Sequence, residues 1–290
     1  SDVYERVLLL GGLTWPRSFA AKRRMKKVAI KVDQVVKNYG NRTILDAMTL
    51  DVFEGETLVI LGGSGSGKST LLRLMMGTVK PNGGDVVAFG KSLCGMDEAA
   101  LEDYRKSVGV LFQSAALFNS MSIKDNVALP LREHTDLPEE NIDIQVTIKL
   151  EMVGLREHGE KMPSELSGGM KKRAGLARAM AMDPKILFYD EPSAGLDPVT
   201  SAEIDELIMA MNKKLGVTSV VVTHEMDSAF RIADRMVLLD RGKFIVSGTP
   251  EEMKASEDPL VRQFIYGLTT GPLTDRKRTG GYERQLMGEV

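Results

Sequence analysis

A short apolar run that ends in a glycine-rich loop limits the folds open to this chain more than any other feature of its sequence. The run is residues 58–61, and the apolar spacing of residues 70–76, from Thr70 onward, predicts a helix after the loop. The loop consists of Gly62, Gly63, Ser64, Gly65, Ser66, Gly67, Lys68 and Ser69. Glycines let backbone N–H groups converge on phosphate oxygens, and such a loop requires a strand before it and a helix after it. The sequence therefore predicts a phosphate-binding loop, in which Lys68 reaches the β- and γ-phosphates of a nucleotide and Ser69 ligates Mg²⁺.

Two acidic residues at the end of a later apolar run suit the chemistry of such a site. The run 186–189 ends in Asp190 and Glu191, and a carboxylate held beside the loop can bind magnesium, usually through water. Glu191 is then directed at the γ-phosphate, where it orients an attacking water and accepts its proton, so it is the candidate catalytic base. The alternatives are a helix cap or a surface salt bridge for the acidic pair, and a chance glycine-rich turn for the loop.

The rest of the pattern is that of an α/β protein with a helical insertion. Continuous apolar runs at 186–189 and 219–222, separated by helical spacing, predict a parallel sheet covered on both faces. Further short strands are predicted at 28–36, 50–53, 57–61 and 85–89. A helical insertion over about 116–182 is predicted by four apolar residues that recur at steps of four, four and three, namely Ile142, Val146, Leu150 and Val153. We expect an N-terminal extension at 1–27, a domain at 28–256 that contains the insertion, and a C-terminal helix with a polar tail at 257–290.

Composition excludes several other classes of protein. The apolar runs are of strand length, so no membrane span is expected, and the net charge of -2 argues against a general nucleic-acid binder. Cys94 is the one cysteine, which predicts a reducing compartment and no zinc site. Met25 is a candidate for the first residue of the functional protein. Two basic clusters, at 22–27 and 276–278, are solvated tails or, alternatively, contacts to anionic lipid.

A second motif narrows the interpretation of the loop. Leu166, Ser167, Gly168 and Gly169 precede the basic run 171–173, upstream of the acidic pair, and a helix is predicted from this motif to residues 183–184. In this combination the chain resembles the ATP-binding cassette (ABC) ATPases over about residues 28–256. The resemblance implies an α/β fold with a P-loop NTPase (RecA-like) core, an antiparallel β subdomain and an inserted helical subdomain, with ATP and Mg²⁺ as its ligands.

The resemblance also implies roles for single residues. Tyr39 is similar to the aromatic residue on which the family stacks adenine, with a core or turn tyrosine as the alternative. Gln113 resembles the glutamine that senses magnesium and the attacking water, and His224 the histidine that contacts the γ-phosphate. Asp197 ends a loop, 193–197, that resembles the link between the two active sites of a dimer. The Ser167, Gly168 and Gly169 segment closes over the nucleotide of a second subunit, which implies a homodimer with two composite sites.

One departure from the common motif points to a branch of this family. Met170 stands where most members have glutamine, and in this the chain resembles the ATPases of MCE-associated lipid transporters, including the Mla-type phospholipid systems. The stretches 111–118 and 129–135 agree with this branch, as do residues 261–264 with Gly267, Gly271 and Pro272. His134 lies in the second of these stretches, and an isolated histidine does not predict a metal site.

These features together predict the energy-coupling subunit of a transporter. Two copies bind two ATP, close, and drive a separate integral membrane permease from the cytoplasmic face of the inner membrane, with an MCE-domain lipid-binding protein as a further partner. The permease docks at the groove of residues 113–118 and the helical insertion. The alternatives are an ABC subunit for another cargo, such as an amino acid or a metal, and a soluble ABC protein that acts on nucleic acid. No nucleic-acid partner is expected.

Overall fold

The computed structural model describes residues 27–274. Several of the sequence expectations lie outside the described residues. These are the Met25 start, most of the extension at 1–27, the basic residues at 22–26 and 276–278, and the last part of the polar tail.

An antiparallel sheet of four strands precedes and flanks the glycine loop. Its strand order is β2-β1-β4-β5, with β1 at Val28–Tyr39, β2 at Arg42–Phe53, β4 at Gly83–Ala88 and β5 at Lys91–Ser92. β1 pairs antiparallel with both β2 and β4, and buried residues alternate with exposed ones along much of β1 and β2, as expected when one face packs on a core. The predicted antiparallel β subdomain is therefore present.

A second sheet of six strands forms the centre of the molecule. Its order is β10-β9-β3-β8-β7-β6, and all neighbours are parallel except β10 and β9. The strands are β3 (Thr57–Leu61), β6 (Val108–Leu111), β7 (Ile186–Asp190), β8 (Thr218–Val222), β9 (Arg235–Asp240) and β10 (Lys243–Gly248). Since β3 lies two strands from β7, the loop after β3 and the acidic end of β7 are at the same edge of the sheet.

Helices cover both faces of the parallel sheet. They are α1 (Lys68–Met75), α2 (Glu98–Lys106), α3 (Ile123–His134), α4 (Glu139–Met152), α5 (Gly168–Ala179), α6 (Pro198–Leu215), α7 (Met226–Ile232), α8 (Pro250–Lys254) and α9 (Pro259–Tyr266). Along β3, Leu58 and Ile60 belong to a core shared with α1 and the antiparallel sheet, whereas Val59 and Leu61 belong to a core shared with α3 to α6. The side chains of β3 thus alternate between two hydrophobic cores, which confirms the predicted sheet covered on both faces.

Three details differ from the sequence expectations. The strands β6, β9 and β10 were not expected, and the helix after Ser167 ends at Ala179 rather than at residues 183–184. Two C-terminal helices are present instead of one, because Thr249 caps α8 in a capping box and Asp258 begins α9 just before Pro259. None of the helices in the described range 27–274 is long and apolar enough to cross a membrane.

A buried ion pair joins the two sheets at the amino end of β3, the opposite end from the loop. Arg235, at the start of β9, donates to both carboxylate oxygens of Glu56, at 2.7 and 3.2 Å. It also donates to the carbonyl of Asp51 in β2, and its guanidinium lies 5.2 Å from the ring centroid of Phe53. Breaking such a pair by removing one partner leaves an uncompensated buried charge, so the pair fixes how the two sheets meet.

Candidate active site

The glycine loop passes so close to its neighbours at two of its positions that only glycine fits there. Gly67 has φ 108° and immediately precedes α1, and a Cβ there would lie 2.7 Å from a methyl carbon of Leu45. A Cβ on Gly62 would lie 2.3 Å from the carbonyl oxygen of Leu239 in β9. Both distances are below van der Waals contact, so the glycines allow the loop to pass close to its neighbours and to open the N-terminus of α1 toward a ligand.

Lys68 begins α1 and folds back over the loop. Its Nζ donates to the carbonyl oxygens of Gly62, at 2.7 Å, and Gly63, at 3.2 Å. Burial lowers the pKa of the Lys68 amine, and the nearby carboxylates of Glu191 and Asp190 oppose this change because they favour the charged form. The structure therefore brings the predicted lysine to the two predicted acids.

Asp190 and Ser69 line one cavity of about 300 Å³ beside the loop. Burial and the neighbouring Glu191 raise the pKa of the Asp190 carboxyl, whereas the cations Arg73, Lys68 and Lys172 act in the opposite direction. A hydroxyl and a carboxylate on the same cavity are hard oxygen donors of the kind that Mg²⁺ takes, together with phosphate oxygens and water. The residues present thus fit the predicted magnesium site.

Glu191 is fixed by three groups around an unusual backbone conformation. Its φ of 50° lies in the left-handed region, which is uncommon for residues other than glycine. The Glu191 N–H donates to the carbonyl oxygen of Val222, at the end of β8, at 2.8 Å. The carbonyl oxygen of Glu191 accepts a hydrogen bond from Lys172. Its Oε2 lies 2.9 Å from Nδ1 of His224 and accepts from the His224 N–H at 3.4 Å. The predicted base and the predicted histidine are therefore in direct contact.

Gln113 lies in the exposed loop that follows β6. Leu111, the last residue of β6, pairs in register with Tyr189, which directly precedes Asp190, so this loop leaves the sheet beside the acidic pair. Ala115 and Ala116 in the same loop have φ of 59° and 50°, and both of their carbonyls accept hydrogen bonds from Arg178 of α5. The loop that carries Gln113 is thus held by the end of α5.

The Ser167, Gly168 and Gly169 segment lies at the N-terminus of α5, away from these contacts. Ser167 caps the helix, since its Oγ accepts from the Met170 N–H at 3.3 Å. A Cβ on Gly169 would lie 2.3 Å from a methyl carbon of Thr200, so the segment packs against the start of α6. Within residues 27–274, no hydrogen bond or ion pair joins this segment to the loop 62–69.

Asp197 and Tyr39 occupy exposed positions. Asp197 caps α6 and accepts from the N–H groups of Val199 and Thr200 and from the Thr200 hydroxyl. Tyr39 ends β1, is 46% exposed, and has the Lys37 ammonium 5.3 Å from its ring centroid. This exposure excludes the core-tyrosine alternative for Tyr39.

Lys172 and Arg178 contact the candidate site but were not predicted to belong to it. In the sequence Lys172 is only one member of a basic run, whereas the structure buries its side chain against the carbonyl of Glu191. The signal was its position on α5: Lys172 follows Gly168 by four residues and precedes Leu176 by four, and such residues share one helix face.

Comparisons with known proteins agree with this fold and site. A family model described as ABC transporter matches residues 45–194. The "Intermembrane phospholipid transport system ATP-binding protein MlaF" of Escherichia coli strain K12 is 44% identical over 248 residues, which are 86% of this chain and 92% of that protein. The "Probable ribonucleotide transport ATP-binding protein mkl" of Mycobacterium leprae is 43% identical over 246 residues, 85% of this chain and 71% of that protein.

Solved structures show the same fold. The chain matches cbiO1 from Clostridium perfringens, part of the ABC transporter complex cbiONQ, with a TM-score of 0.74 and 32% identity over 82% of this chain and 95% of that one. It matches a dimeric ATP-binding cassette in a post-hydrolysis state, bound to ADP and Pi, with a TM-score of 0.70 and 30% identity over 76% of this chain and 98% of that one. The fold, the loop with its acidic pair and these matches lead to one conclusion: the chain belongs to the ABC transporter family and is an ATP-binding subunit that hydrolyses ATP.

Proposed function

We propose that this subunit powers a phospholipid transporter of the MCE-associated, Mla-type branch, on the cytoplasmic face of the inner membrane. The observation that carries the proposal is the 44% identity to the phospholipid-transport ATPase of Escherichia coli over 86% of this chain. Met170, in the position where most of the family has glutamine, supports the same branch. The mycobacterial relative supports a second candidate, because its name gives ribonucleotide as the cargo.

In the proposed mechanism, the groups at the sheet edge bind and orient the phosphates of ATP. Lys68 leaves the loop carbonyls and binds the β- and γ-phosphates, with the loop N–H groups around the β-phosphate. Ser69 and Asp190, which line one cavity, would hold Mg²⁺ together with Gln113 from the adjacent loop, and the bound ion would neutralise phosphate charge. Tyr39, at its exposed position, stacks on the adenine.

Hydrolysis requires a base that is aligned with the γ-phosphate. Glu191 orients the attacking water and accepts its proton, and the contact between its Oε2 and Nδ1 of His224 fixes the direction of the carboxylate. Because Nδ1 donates to this carboxylate, Nε2 can donate to the γ-phosphate only when the imidazole carries both protons. In this arrangement Nδ1 of the imidazole holds the base, and Nε2 contacts the nucleotide.

The second half of each site comes from the partner subunit. The Ser167, Gly168 and Gly169 segment presents a helix N-terminus and a hydroxyl, which suit an anion, and we assign its target to the nucleotide bound by the other copy. Asp197 and its loop lie next to this segment and link the two sites. ATP between the subunits then favours the closed dimer, and hydrolysis removes that preference.

A groove between the sheet and the helical insertion is the proposed docking site of the permease. It has a volume of about 410 Å³ and a mostly apolar lining with three charged or titratable side chains, and its lining residues are Phe112, Ala116, Phe118, Leu129, Pro130, Glu133, His134 and Arg178. An amphipathic helix of the permease fits such a surface, with its apolar face in the groove. Because Arg178 also holds the Gln113 loop, a helix docked here would contact the loop that lies beside the active site.

The test is to isolate the native complex through a tag on the full chain and to identify its membrane proteins and bound small molecules by mass spectrometry. We expect a permease, an MCE-domain protein and bound phospholipid. The matched control is the same preparation from a strain that carries the Phe118→Glu variant, which should retain the fold but lose the permease. Bound ribonucleotide cargo without phospholipid would support the second candidate, and the absence of any membrane protein would contradict both.

A further inference from the structure

A buried lysine on α5 reaches the backbone of Glu191. Lys172 is only 5% exposed, and its Nζ donates to the carbonyl oxygen of Glu191 at 3.0 Å. Lysine is almost never buried to this degree unless it is paired. Burial lowers the pKa of the Lys172 amine, and the carboxylates of Glu191, Glu225 and Asp190 oppose this change. The acidic groups of the candidate active site thus favour the charged form but do not fully offset the effect of burial.

Lys172 contacts the carbonyl oxygen of Glu191, a residue whose backbone has an unfavourable left-handed conformation. A left-handed conformation costs a residue other than glycine about 1–3 kcal/mol, so surrounding contacts must hold it. At Glu191 the N–H is held by Val222, and the carbonyl accepts from Lys172 and, at 3.3 Å, from the N–H of Ala194. Of the two donors to this carbonyl, Lys172 is the charged one, and charged donors form the stronger hydrogen bonds.

The same helix carries the segment assigned to the partner's nucleotide. Lys172 follows Gly169 by three residues and Gly168 by four, so it lies within the first turns of α5. A displacement of the N-terminus of α5 is therefore transmitted through one side chain to the carbonyl of Glu191. Ala194, which shares this carbonyl, belongs to the 193–197 loop, so both elements next to the dimer face converge on the backbone of Glu191.

We propose that Lys172 is a positioning residue for hydrolysis, which couples the helix that binds the partner's nucleotide to the Glu191 carboxylate of its own chain. The proposal rests on the proposed function, in which Glu191 is the base and Ser167 acts on the other subunit's ATP. It adds a specific link between the two composite sites of the dimer. Lys172 does not touch the substrate in this mechanism, and it acts only through Glu191.

The first test measures steady-state ATP hydrolysis by the full chain and its Lys172→Met variant, which keeps a linear apolar stem and removes the donor. We expect kcat to fall about 10- to 100-fold, with KM for ATP changed by less than about twofold, because orientation of the base is lost and binding is kept. Lys171→Met removes the same charge from the adjacent, more exposed position on α5 and should retain the parent kcat within about twofold. A parent-like kcat in Lys172→Met, or an equal loss in Lys171→Met, would overturn the proposal.

Two further measurements separate positioning from folding. Lys172→Arg keeps a charged donor and should have a higher kcat than Lys172→Met; a value no higher would overturn the proposal. In a Glu191→Gln background, Lys172→Met should leave the ATP-dependent dimer intact by size exclusion, and loss of this dimer would show that Lys172 serves nucleotide binding instead. If Glu191→Gln alone hydrolyses ATP normally, the proposed base is wrong, which is a result distinct from a normal Lys172→Met.

Discussion

Two regions of this molecule are assigned to binding ATP, and they differ in how their side chains are held. At the sheet edge, the loop 62–69, Asp190 and Glu191 are held by contacts within the chain, and Lys68, Glu191 and His224 already contact their neighbours. At the exposed face formed by Ser167, Gly168 and Asp197, the polar side chains are helix caps that remain open to solvent. The first region is complete in one subunit, whereas the second presents groups for a partner.

In the proposed dimer, this difference divides each active site between two copies of the chain. Catalytic geometry needs close tolerances, so it is placed on buried strands whose neighbours fix each side chain. Groups that must separate and close again are better placed on exposed helix ends, because few contacts are broken when the subunits part. Four predictions test this division.

The largest effect is expected at the sheet edge. Glu191→Gln removes the base but keeps the shape of the side chain and a partner for His224, so we expect ATP turnover to fall about 100- to 1,000-fold. ATP binding should persist, and the variant should accumulate as a closed dimer with ATP. Turnover assays and size exclusion with and without ATP measure both. Ordinary turnover in this variant would contradict the assignment of Glu191.

The second prediction tests whether the exposed face acts on the other subunit. A Lys68→Ala chain and a Ser167→Arg chain should each be inactive, but their mixed dimer contains one site with both residues intact. Random pairing makes half of the dimers mixed, so about a quarter of the parent activity should return on mixing. Subunit exchange is checked by fluorescence transfer between labelled chains. Proven exchange without recovered activity would contradict action in trans, or require that both sites operate together.

A pair of glycine substitutions should separate fold from function. Gly62→Ala places a Cβ 2.3 Å from a backbone oxygen of Leu239, so we expect a loss of about 2–4 kcal/mol in the free energy of unfolding. Gly168→Ala meets only a flexible methyl group of Leu196, at 3.3 Å, and should change stability by less than about 0.5 kcal/mol. It should still reduce turnover at least about tenfold, because in the proposed dimer its Cβ would face the phosphates bound by the partner. Chemical denaturation measures the stability of both variants, and ATPase assays measure their turnover. Equal losses of stability would contradict the expected difference between the two positions.

From the sequence, the residues at the sheet edge can be predicted better than the contacts between helices and strands can. The strand, loop and helix at residues 57–75 form as expected, because their pattern is local. β6 was missed because it has only four residues and includes Gly109, whose small size is explained by neighbours from other elements: a Cβ there would lie 2.1 Å from the carbonyl oxygen of Ala179 in α5 and 2.7 Å from a methyl carbon of Leu187 in β7. The burial of Lys172 likewise depends on how α5 packs against the parallel sheet, which no local pattern contains.

The smallest effect concerns one aspartate from each region. Burial and Glu191 raise the pKa of Asp190, so its ionised form costs stability in full above the folded pKa; this cost shrinks as pH falls below the folded pKa and is gone below the unfolded pKa. Hydrogen bonds from Thr200 lower the pKa of Asp197, so its charge contributes stability that is lost only as pH falls through its folded pKa.

Asp190→Asn should therefore raise the thermal midpoint at pH 7 by about 1–2 °C while reducing turnover, and its advantage should shrink as pH is lowered towards 4. Asp197→Asn should leave the midpoint unchanged or lower it, since it removes a stabilising charge and keeps a cap. Thermal melts from pH 7 to pH 4 measure both variants. A lower midpoint for Asp190→Asn would mean that the cations nearby, Arg73, Lys68 and Lys172, need this carboxylate to offset their charge. The charges at the sheet edge would then stabilise the fold, and not weaken it.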